Sequence, residues 1–312
     1  MKDLQLLQKL CEIHAPSGNE SAITQFIYSY VEKYSFTWKT IPRIYFGNNF
    51  HDCLILVFGK PKTAIYAHVD SVGYMVGYNK KLHPIGTPNA KQGTKLVGKD
   101  SLGDICCSLE VEETNDARSK KNTTYQFHRN IERGTTLTYK PHFNKEGNHI
   151  YANNLDNRAG VWMALQLAET LENGIIAFTT YEEHGGGATQ FIQRFLYKKY
   201  RIRQALIADI TWITEGIHEG KGCAISLRDS HIPRKTYVNR IVNIAKRSQI
   251  PFQLEVEETG GSDGSILQNC AYPIDWCFVG APEYDPHKPI EKIHIHDLQN
   301  MLKLYSVLIK EL

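Results

Sequence analysis

Side chains that commonly bind metal ions recur in five short segments of this 312-residue chain. The segments are Ala67-His68-Val69-Asp70, Leu155-Asp156-Asn157-Arg158, Glu182-Glu183-His184, Ala208-Asp209-Ile210 and Pro286-His287-Lys288-Pro289-Ile290-Glu291. Histidine nitrogens and carboxylate oxygens are the ligands that zinc-type ions take in proteins. Two histidines and three carboxylates exceed what one tetrahedral zinc needs. They suit two ions that share a carboxylate, with a further glutamate left as general base, so the segments predict metal-assisted hydrolysis.

The composition is that of an ordinary globular protein, with 42% hydrophobic and 22% charged residues and a net charge of +3. Because no cluster of lysine and arginine is interleaved with aromatic residues, we expect neither nucleic acid nor a membrane as partner. We expect no signal peptide, and the chain contains no apolar run long enough to span a bilayer. Seven scattered cysteines favour reduced thiols, which predicts a cytoplasmic protein.

The periodicity of apolar residues predicts an α/β fold. Helical spacing covers residues 4–13 and continues in a second helix to about Tyr34. After residue 150, predicted helices alternate with predicted strands. The helices are 159–171, 188–197, 238–247, 265–268 and 297–310; the strands are 175–180, 205–209, 252–256 and 274–279. This alternation predicts a mostly parallel sheet covered by helices on both faces.

Residues 73–149 interrupt this pattern. Short alternating strands lie there among glycine, proline, asparagine and lysine, and no helical period is present. We therefore predict a discontinuous catalytic domain of residues 1–72 and 150–312. Residues 73–149 would form a small inserted β-rich domain, which we expect to serve in self-association.

The potential metal ligands fall where the predicted strands end. His68 and Asp70 follow one strand, Glu182 and Glu183 follow another, and Asp209 ends a third. Ligands of open α/β sheets bind beyond the carboxyl ends of the strands. We therefore expect residues far apart in the sequence to converge at one edge of the sheet.

A serine hydrolase is an alternative interpretation, because residues 260–264 match the nucleophile pattern GxSxG around Ser262. Asp275 or Asp285, followed by His287, could complete a triad. Too little chain follows Ser262 to complete the sheet of such a hydrolase. That interpretation also leaves His68 and Asp209 without a role.

Eight segments together resemble the glutamyl-aminopeptidase and deblocking-aminopeptidase family, whose members are cytosolic dinuclear metallo-aminopeptidases. The segments are HAPSGNE (14–20), AHVDSVG (67–73), GTTLTYKPHF (134–143), LDNRAG (155–160), TTYEEHGGGA (179–188), ADITW (208–212), GGSDGSIL (260–267) and VGAPEYDPHKPIE (279–291). They cover nearly the whole chain in a fixed order.

The resemblance implies a role for each potential site residue. It implies two divalent ions, zinc or else cobalt or manganese, with His68 and Asp209 on one ion and Glu183 and His287 on the other. Asp156 would bridge the ions, Glu182 would be the general base, and Asp70 would be the acid behind His68. The chain departs from the family in carrying Lys288 where serine is usual.

The resulting hypothesis is a metallo-aminopeptidase that removes N-terminal residues from peptides and forms a homo-oligomer. A dinuclear carboxypeptidase or an amino-acid deacylase would use the same ligands, and a non-catalytic homologue would keep the fold. The acidic segments favour a free ammonium group over a carboxylate as the recognised terminus. Lys288 leaves open a preference for acidic side chains at the cleaved residue.

Overall fold

A computed structural model describes residues 4–112 and 122–312 of the chain. Within those residues it contains seven α-helices and eighteen β-strands. The helices are α1 (Leu4–Glu12), α2 (Ser21–Tyr34), α3 (Leu155–Ala168), α4 (Ala188–Tyr200), α5 (Lys235–Ser248), α6 (Asp263–Gln268) and α7 (Ile295–Glu311). The strands are β1 (Arg43–Tyr45), β2 (Leu54–Phe58), β3 (Ala64–His68), β4 (Gly73–Val76), β5 (Leu82–Ile85), β6 (Lys95–Asp100), β7 (Gly103–Glu112), β8 (Asn122–Gln126), β9 (Thr136–Tyr139), β10 (Phe143–Glu146), β11 (His149–Ala152), β12 (Gly174–Thr179), β13 (Gln204–Ile207), β14 (Ile210–Trp212), β15 (Cys223–Arg228), β16 (Phe252–Val256), β17 (Asp275–Tyr284) and β18 (Glu291–His294).

The larger sheet has a parallel centre and antiparallel flanks. Its main order is β1-β2-β12-β3-β13-β17-β18-β11-β10, and β14 and β15 also pair with β17. Strands β12, β3, β13 and β17 run parallel, whereas β2 joins β12 and β18 joins β17 antiparallel. The α/β class is confirmed, but the sheet is mixed rather than mostly parallel. Antiparallel neighbours need no crossover helix, so short connections such as that between β10 and β11 suffice at the flanks.

Helices cover both faces of the larger sheet, as predicted. Along β2, Leu54 and Phe58 face one core and Ile55 faces the other, because successive side chains of a strand point to opposite faces. Helices α1, α2, α3, α5 and α7 contribute to the first core, and α4 and α6 to the second. Helix α3 is buried along its whole length, since its residues are apolar on nearly all sides.

The smaller sheet is antiparallel throughout, in the order β5-β4-β9-β6-β7-β8. Leu96, Tyr125 and Leu137 belong to a hydrophobic cluster of its own. The last strand of this sheet along the chain ends at Tyr139, whereas the predicted inserted domain extends to residue 149. Strand β10 lies between these points and pairs with β11 in the larger sheet. An independent fold for residues 73–149 stays a prediction.

Within residues 4–112 and 122–312, every helix is too short or too polar to cross a membrane.

Candidate metal centre

The predicted ligands do lie at one edge of the larger sheet. His68 is the last residue of β3, Asp209 follows β13 by two residues, and Glu183 lies in the turn after β12. His287 follows β17, and Asp156 is the second residue of α3. Because the strands of the parallel centre all end at this edge, side chains more than 200 positions apart in sequence meet there.

Asp156 lies between the two histidines. His68 Nε2 is 3.1 Å from Asp156 Oδ1, and His287 Nε2 is 3.1 Å from Asp156 Oδ2. On the first side, Asp209 Oδ2 lies 3.6 Å from His68 Nε2. On the second side, Glu183 Oε2 lies 3.2 Å from His287 Nε2. The five residues therefore form two groups that share the Asp156 carboxylate.

Asp70 lies outside the predicted ligand set and contacts both His68 and the turn that carries Glu182 and Glu183. Its carboxylate lies 3.4 Å from His68 Nδ1 and is fully buried. It also accepts hydrogen bonds from the backbone N–H groups of Glu182 and Glu183, at 3.1 and 3.0 Å, and from Ser17 Oγ at 2.6 Å. One side chain thus orients a histidine and the turn that carries both glutamates, as a residue outside the ligand set can do.

Two further residues position His287, and neither was assigned a role from the sequence. Thr87 Oγ1 lies 2.8 Å from His287 Nδ1. Glu291 Oε1 accepts a hydrogen bond from the His287 backbone N–H at 2.9 Å, and its Oε2 accepts from Leu155 N. Glu291 is the last residue of the family-like segment 279–291, so the sequence could have indicated a role for it. Thr87 follows β5 and carries no sequence signal.

The centre is crowded with buried acceptors. Burial raises the pKa of Glu182 and of Glu183 well above the usual range, and neighbouring carboxylates add to this effect. Burial also raises the pKa of Asp209 to about 6. Among the described residues, no hydrogen-bond donor reaches the buried Oε1 of Glu183. Divalent cations would supply the positive charge that such a donor set lacks, so the residues fit a metal site.

The pKa values of His68 and Asp156 shift in opposite directions. Burial alone would lower the pKa of His68, but Asp209 and Asp156 raise it well above its ordinary value. Burial likewise opposes ionisation of Asp156, yet hydrogen bonding to His287 and His68 lowers the pKa of this carboxyl. Both side chains are held in the charge state that strong mutual attraction favours.

The serine-hydrolase alternative lacks its geometry. Ser262 is the N-cap of α6, and its Oγ accepts a hydrogen bond from Gly264 N at 3.1 Å. In the part of the chain that the structure describes, no histidine hydrogen-bonds to Ser262. His287 is engaged with Asp156 instead.

A cleft of about 330 Å³ opens over the centre, lined by His68, Asp156, Glu182, Glu183, Asp209 and His287 together with residues of other segments. Lys288 does not line it and instead pairs with Asp285. Arg158 is fully buried and donates to backbone carbonyls, including that of Leu10 at 3.1 Å. Neither cation therefore faces the cleft.

Comparison with known proteins agrees with this fold. A curated protein of Acetivibrio thermocellus, provisionally described as an aminopeptidase, is 25% identical over 96% of this chain and 96% of its own length. An aminopeptidase from the archaeon Desulfurococcus kamchatkensis shares the fold with a TM-score of 0.85 at 20% identity, covering 99% of this chain and 94% of that one. The TET1 peptidase of Pyrococcus horikoshii matches with a TM-score of 0.83 at 20% identity, over 99% of both chains.

The family itself follows from the sequence profile of the M42 glutamyl aminopeptidases, which matches residues 116–304, more than half of the chain. The resemblance seen in the motifs is thereby confirmed, and the chain belongs to the M42 glutamyl aminopeptidase family.

Proposed function

We propose that this aminopeptidase works with two divalent metal ions, zinc or else cobalt or manganese. His68 and Asp209 would bind one ion, Glu183 and His287 the other, and Asp156 both. The position of Asp156, with one histidine 3.1 Å from each carboxylate oxygen, is the observation that carries this proposal. When bound, the ions would supply Lewis acidity for the scissile carbonyl and make water acidic enough to react at neutral pH.

Glu182 is the proposed general base. It lines the cleft, and the hydrogen bond from its backbone N–H to Asp70 fixes its turn. A carboxylate in this position can take a proton from water and give it up again to the leaving nitrogen. The water oxygen forms the new bond to carbon, Glu182 takes the water proton, and that proton passes to the nitrogen as the C–N bond breaks. Asp70 keeps Glu182 and His68 in position for this transfer.

The lining of the cleft favours an N-terminal over a C-terminal substrate residue. A carboxypeptidase or amino-acid deacylase needs a cation, usually arginine, to bind a free carboxylate. Among the described residues that line the cleft there is no lysine or arginine. A free ammonium group, in contrast, is attracted by carboxylates such as Asp156 and Asp209.

Two experiments test this function. Chelator should abolish peptide hydrolysis, added zinc, cobalt or manganese should restore it, and a serine-directed phosphonate should have no effect. In a matched peptide pair, acetylation of the N-terminus should stop cleavage and amidation of the C-terminus should not. Activity that survives chelation but not the phosphonate would support the Ser262 alternative, and cleavage of the acetylated peptide would exclude an aminopeptidase.

We also propose a homo-oligomer in the cytoplasm. The TET1 peptidase of Pyrococcus horikoshii can assemble into a tetrahedron or a large octahedral shell. A similar association here would use the smaller sheet, residues Gly73 to Tyr139. All seven cysteines of this chain are free, which suits a reducing compartment.

A further inference from the structure

The cleft over the metal centre has a second acidic wall. Asp229, Glu255 and Glu257 line it and are not part of the predicted ligand set. Glu255 lies in β16, Glu257 follows that strand, and Asp229 follows β15. Strands β15 and β16 pair in parallel, so their carboxyl ends meet at the cleft. The second wall is thus built by elements that carry none of the proposed metal ligands.

These carboxylates have only neutral partners. Thr211 Oγ1 donates to Glu255, Thr214 Oγ1 donates to Glu257 at 2.7 Å, and the backbone N–H of His231 donates to Asp229 at 2.6 Å. Within the described residues, none of the three forms an ion pair with a lysine, arginine or histidine side chain. Buried carboxylates are normally paired with a cation. The buried Glu255 and Asp229 have no ion pair of this kind among the described residues, although the charges of His231 and Arg228 act on Asp229.

Burial makes that lack costly. Glu255 exposes 4% of its surface and Asp229 8%. Burial raises the pKa of both side chains above the usual value for a carboxyl. A cation held beside them would favour their ionised forms and would offset the desolvation.

The cleft also has apolar lining beside these carboxylates. Ile210, Trp212 and Phe278 line the same cleft. Lysine and arginine side chains combine a hydrocarbon stem, which packs on apolar surface, with a cationic end, which seeks carboxylates and aromatic faces. A glutamate side chain would instead add a carboxylate to a wall that already has three.

We propose that this cleft selects an N-terminal lysine or arginine, whose stem packs on Trp212 and Phe278 and whose cation lies among Asp229, Glu255 and Glu257. The proposal rests on the proposed function, which places the first residue of the peptide in this cleft. It differs from the glutamyl preference by which the family is described. The substrate's α-ammonium does not explain the second wall, because that group is two bonds from the scissile carbonyl carbon and must lie beside the metal centre.

The test compares aminoacyl p-nitroanilides of lysine, arginine, norleucine and glutamate on the metal-loaded enzyme. Norleucine has a stem like that of lysine without the charge. We expect kcat/KM for lysine and arginine to exceed that for norleucine by roughly ten- to hundredfold, the usual worth of hydrogen bonds between charged groups. Glutamate should be the poorest substrate.

Three variants locate the selection. Glu257→Gln and Asp229→Asn keep the side-chain shape and should lower kcat/KM for lysine by about tenfold each, a larger loss than for norleucine, so the ratio of the two kcat/KM values should fall. Glu258→Gln is the matched control, because Glu258 is exposed and does not line the cleft. A lysine preference that survives both cleft substitutions would overturn the assignment of these residues.

The outcomes separate this inference from the proposed function. Faster cleavage of norleucine or glutamate than of lysine would overturn the inference and leave the aminopeptidase intact. If no substrate were hydrolysed, the proposed function would fail. Calorimetric binding of free lysine, norleucine and glutamate would then decide the inference. Selective lysine binding that Glu257→Gln abolishes would support it, and equal or absent binding would overturn it.

Discussion

Two adjacent glutamates, Glu182 and Glu183, receive different surroundings from the same turn. Glu183 Oε2 lies 3.2 Å from His287 Nε2, whereas Glu182 Oε2 lies 3.9 Å from His68 Nε2. The shorter contact is consistent with the proposed role of Glu183 as a metal ligand, and the longer one with the proposed role of Glu182 as general base. Residue type alone could not make this distinction, and the family resemblance supplied it.

The first prediction concerns Glu182→Gln, which retains the shape of the side chain but cannot accept a proton. Hydrolysis should fall by roughly two to four orders of magnitude, the usual contribution of general acid–base catalysis. Metal content, measured by elemental analysis, should stay near two ions per chain. In Glu183→Gln, the matched variant, metal content should fall. The reverse pattern of metal loss would mean that the two roles are exchanged.

A second prediction concerns Glu20, which is almost fully buried and accepts hydrogen bonds from Gly18 N and Tyr181 N. Burial raises its pKa from the ordinary 4.5 to about 7. Between these values the folded chain binds more protons than the unfolded chain, so stability falls as pH rises through this window. Above pH 7 the loss reaches at most about 3 kcal/mol.

Glu20→Gln should remove this loss, because the neutral amide oxygen can accept the same two hydrogen bonds. The free energy of unfolding, measured in urea, should match the parent protein at pH 4 and exceed it at pH 8. Glu12→Gln serves as control, since Glu12 is exposed. Identical pH profiles for the parent and Glu20→Gln would contradict the burial argument.

At the scale of elements, the segment after β5 reaches across to the metal centre. Thr87 contacts His287 Nδ1, Asn89 N donates to the His287 carbonyl at 2.9 Å, and Tyr139 Oη donates to the same carbonyl at 2.8 Å. Residues of the predicted insert therefore orient a predicted ligand. The predicted insert contributes to the metal centre in addition to its proposed role in self-association.

The third prediction is that Thr87→Val lowers metal affinity roughly ten- to hundredfold, as loss of a residue that orients a ligand commonly does. Valine keeps the branched shape but cannot hydrogen-bond to His287 Nδ1. Competition with a chelator of known affinity would measure the change. Thr87→Ser should restore most of the affinity, because it retains the hydroxyl. Equal affinities for the valine variant and the parent would remove Thr87 from the site.

Regular elements with strong periodicity were predictable, and elements that depend on their neighbours were not. The strand predicted at 252–256 is β16, and the helix predicted at 188–197 is α4 with three further residues. Strands β14 and β15 were not predicted. The polar β18 (Glu291–His294) is a strand because β11 and β17 pair with it on either side.

The site was predictable where chemistry is concentrated in motifs at strand ends. His68, Asp156 and Glu183 bring ligand atoms within 4.8 Å of one another, as convergence at the sheet edge requires. No motif in the sequence indicated the contribution of Thr87 or the second acidic wall. Threonine and scattered acidic residues are common on surfaces, and only tertiary packing brings Glu255 and Glu257 into the cleft.

At the scale of the whole molecule, large apolar side chains are exposed on several parts of the fold, and three of them allow two candidate contact surfaces to be compared. Tyr78 and Leu102 belong to the segment that forms the smaller sheet and are 70% and 69% exposed. Phe36, which follows α2 in the predicted catalytic domain, is 72% exposed. Single exposed apolar residues are normal, but an interface between subunits needs such anchors. The three positions therefore offer a matched comparison of two candidate surfaces.

The fourth prediction is that the double substitution Tyr78→Asp and Leu102→Asp reduces the oligomeric state, whereas Phe36→Asp does not. A carboxylate in the centre of an interface would be buried without a partner. Its desolvation penalty would exceed the free energy gained by association. Light scattering coupled to size-exclusion chromatography measures the mass of each assembly. Circular dichroism confirms that each variant is folded, which is expected because all three side chains are exposed in the single chain. Dissociation by Phe36→Asp, with the double variant still assembled, would place the contact surface on the larger sheet and its helices and remove the smaller sheet from self-association.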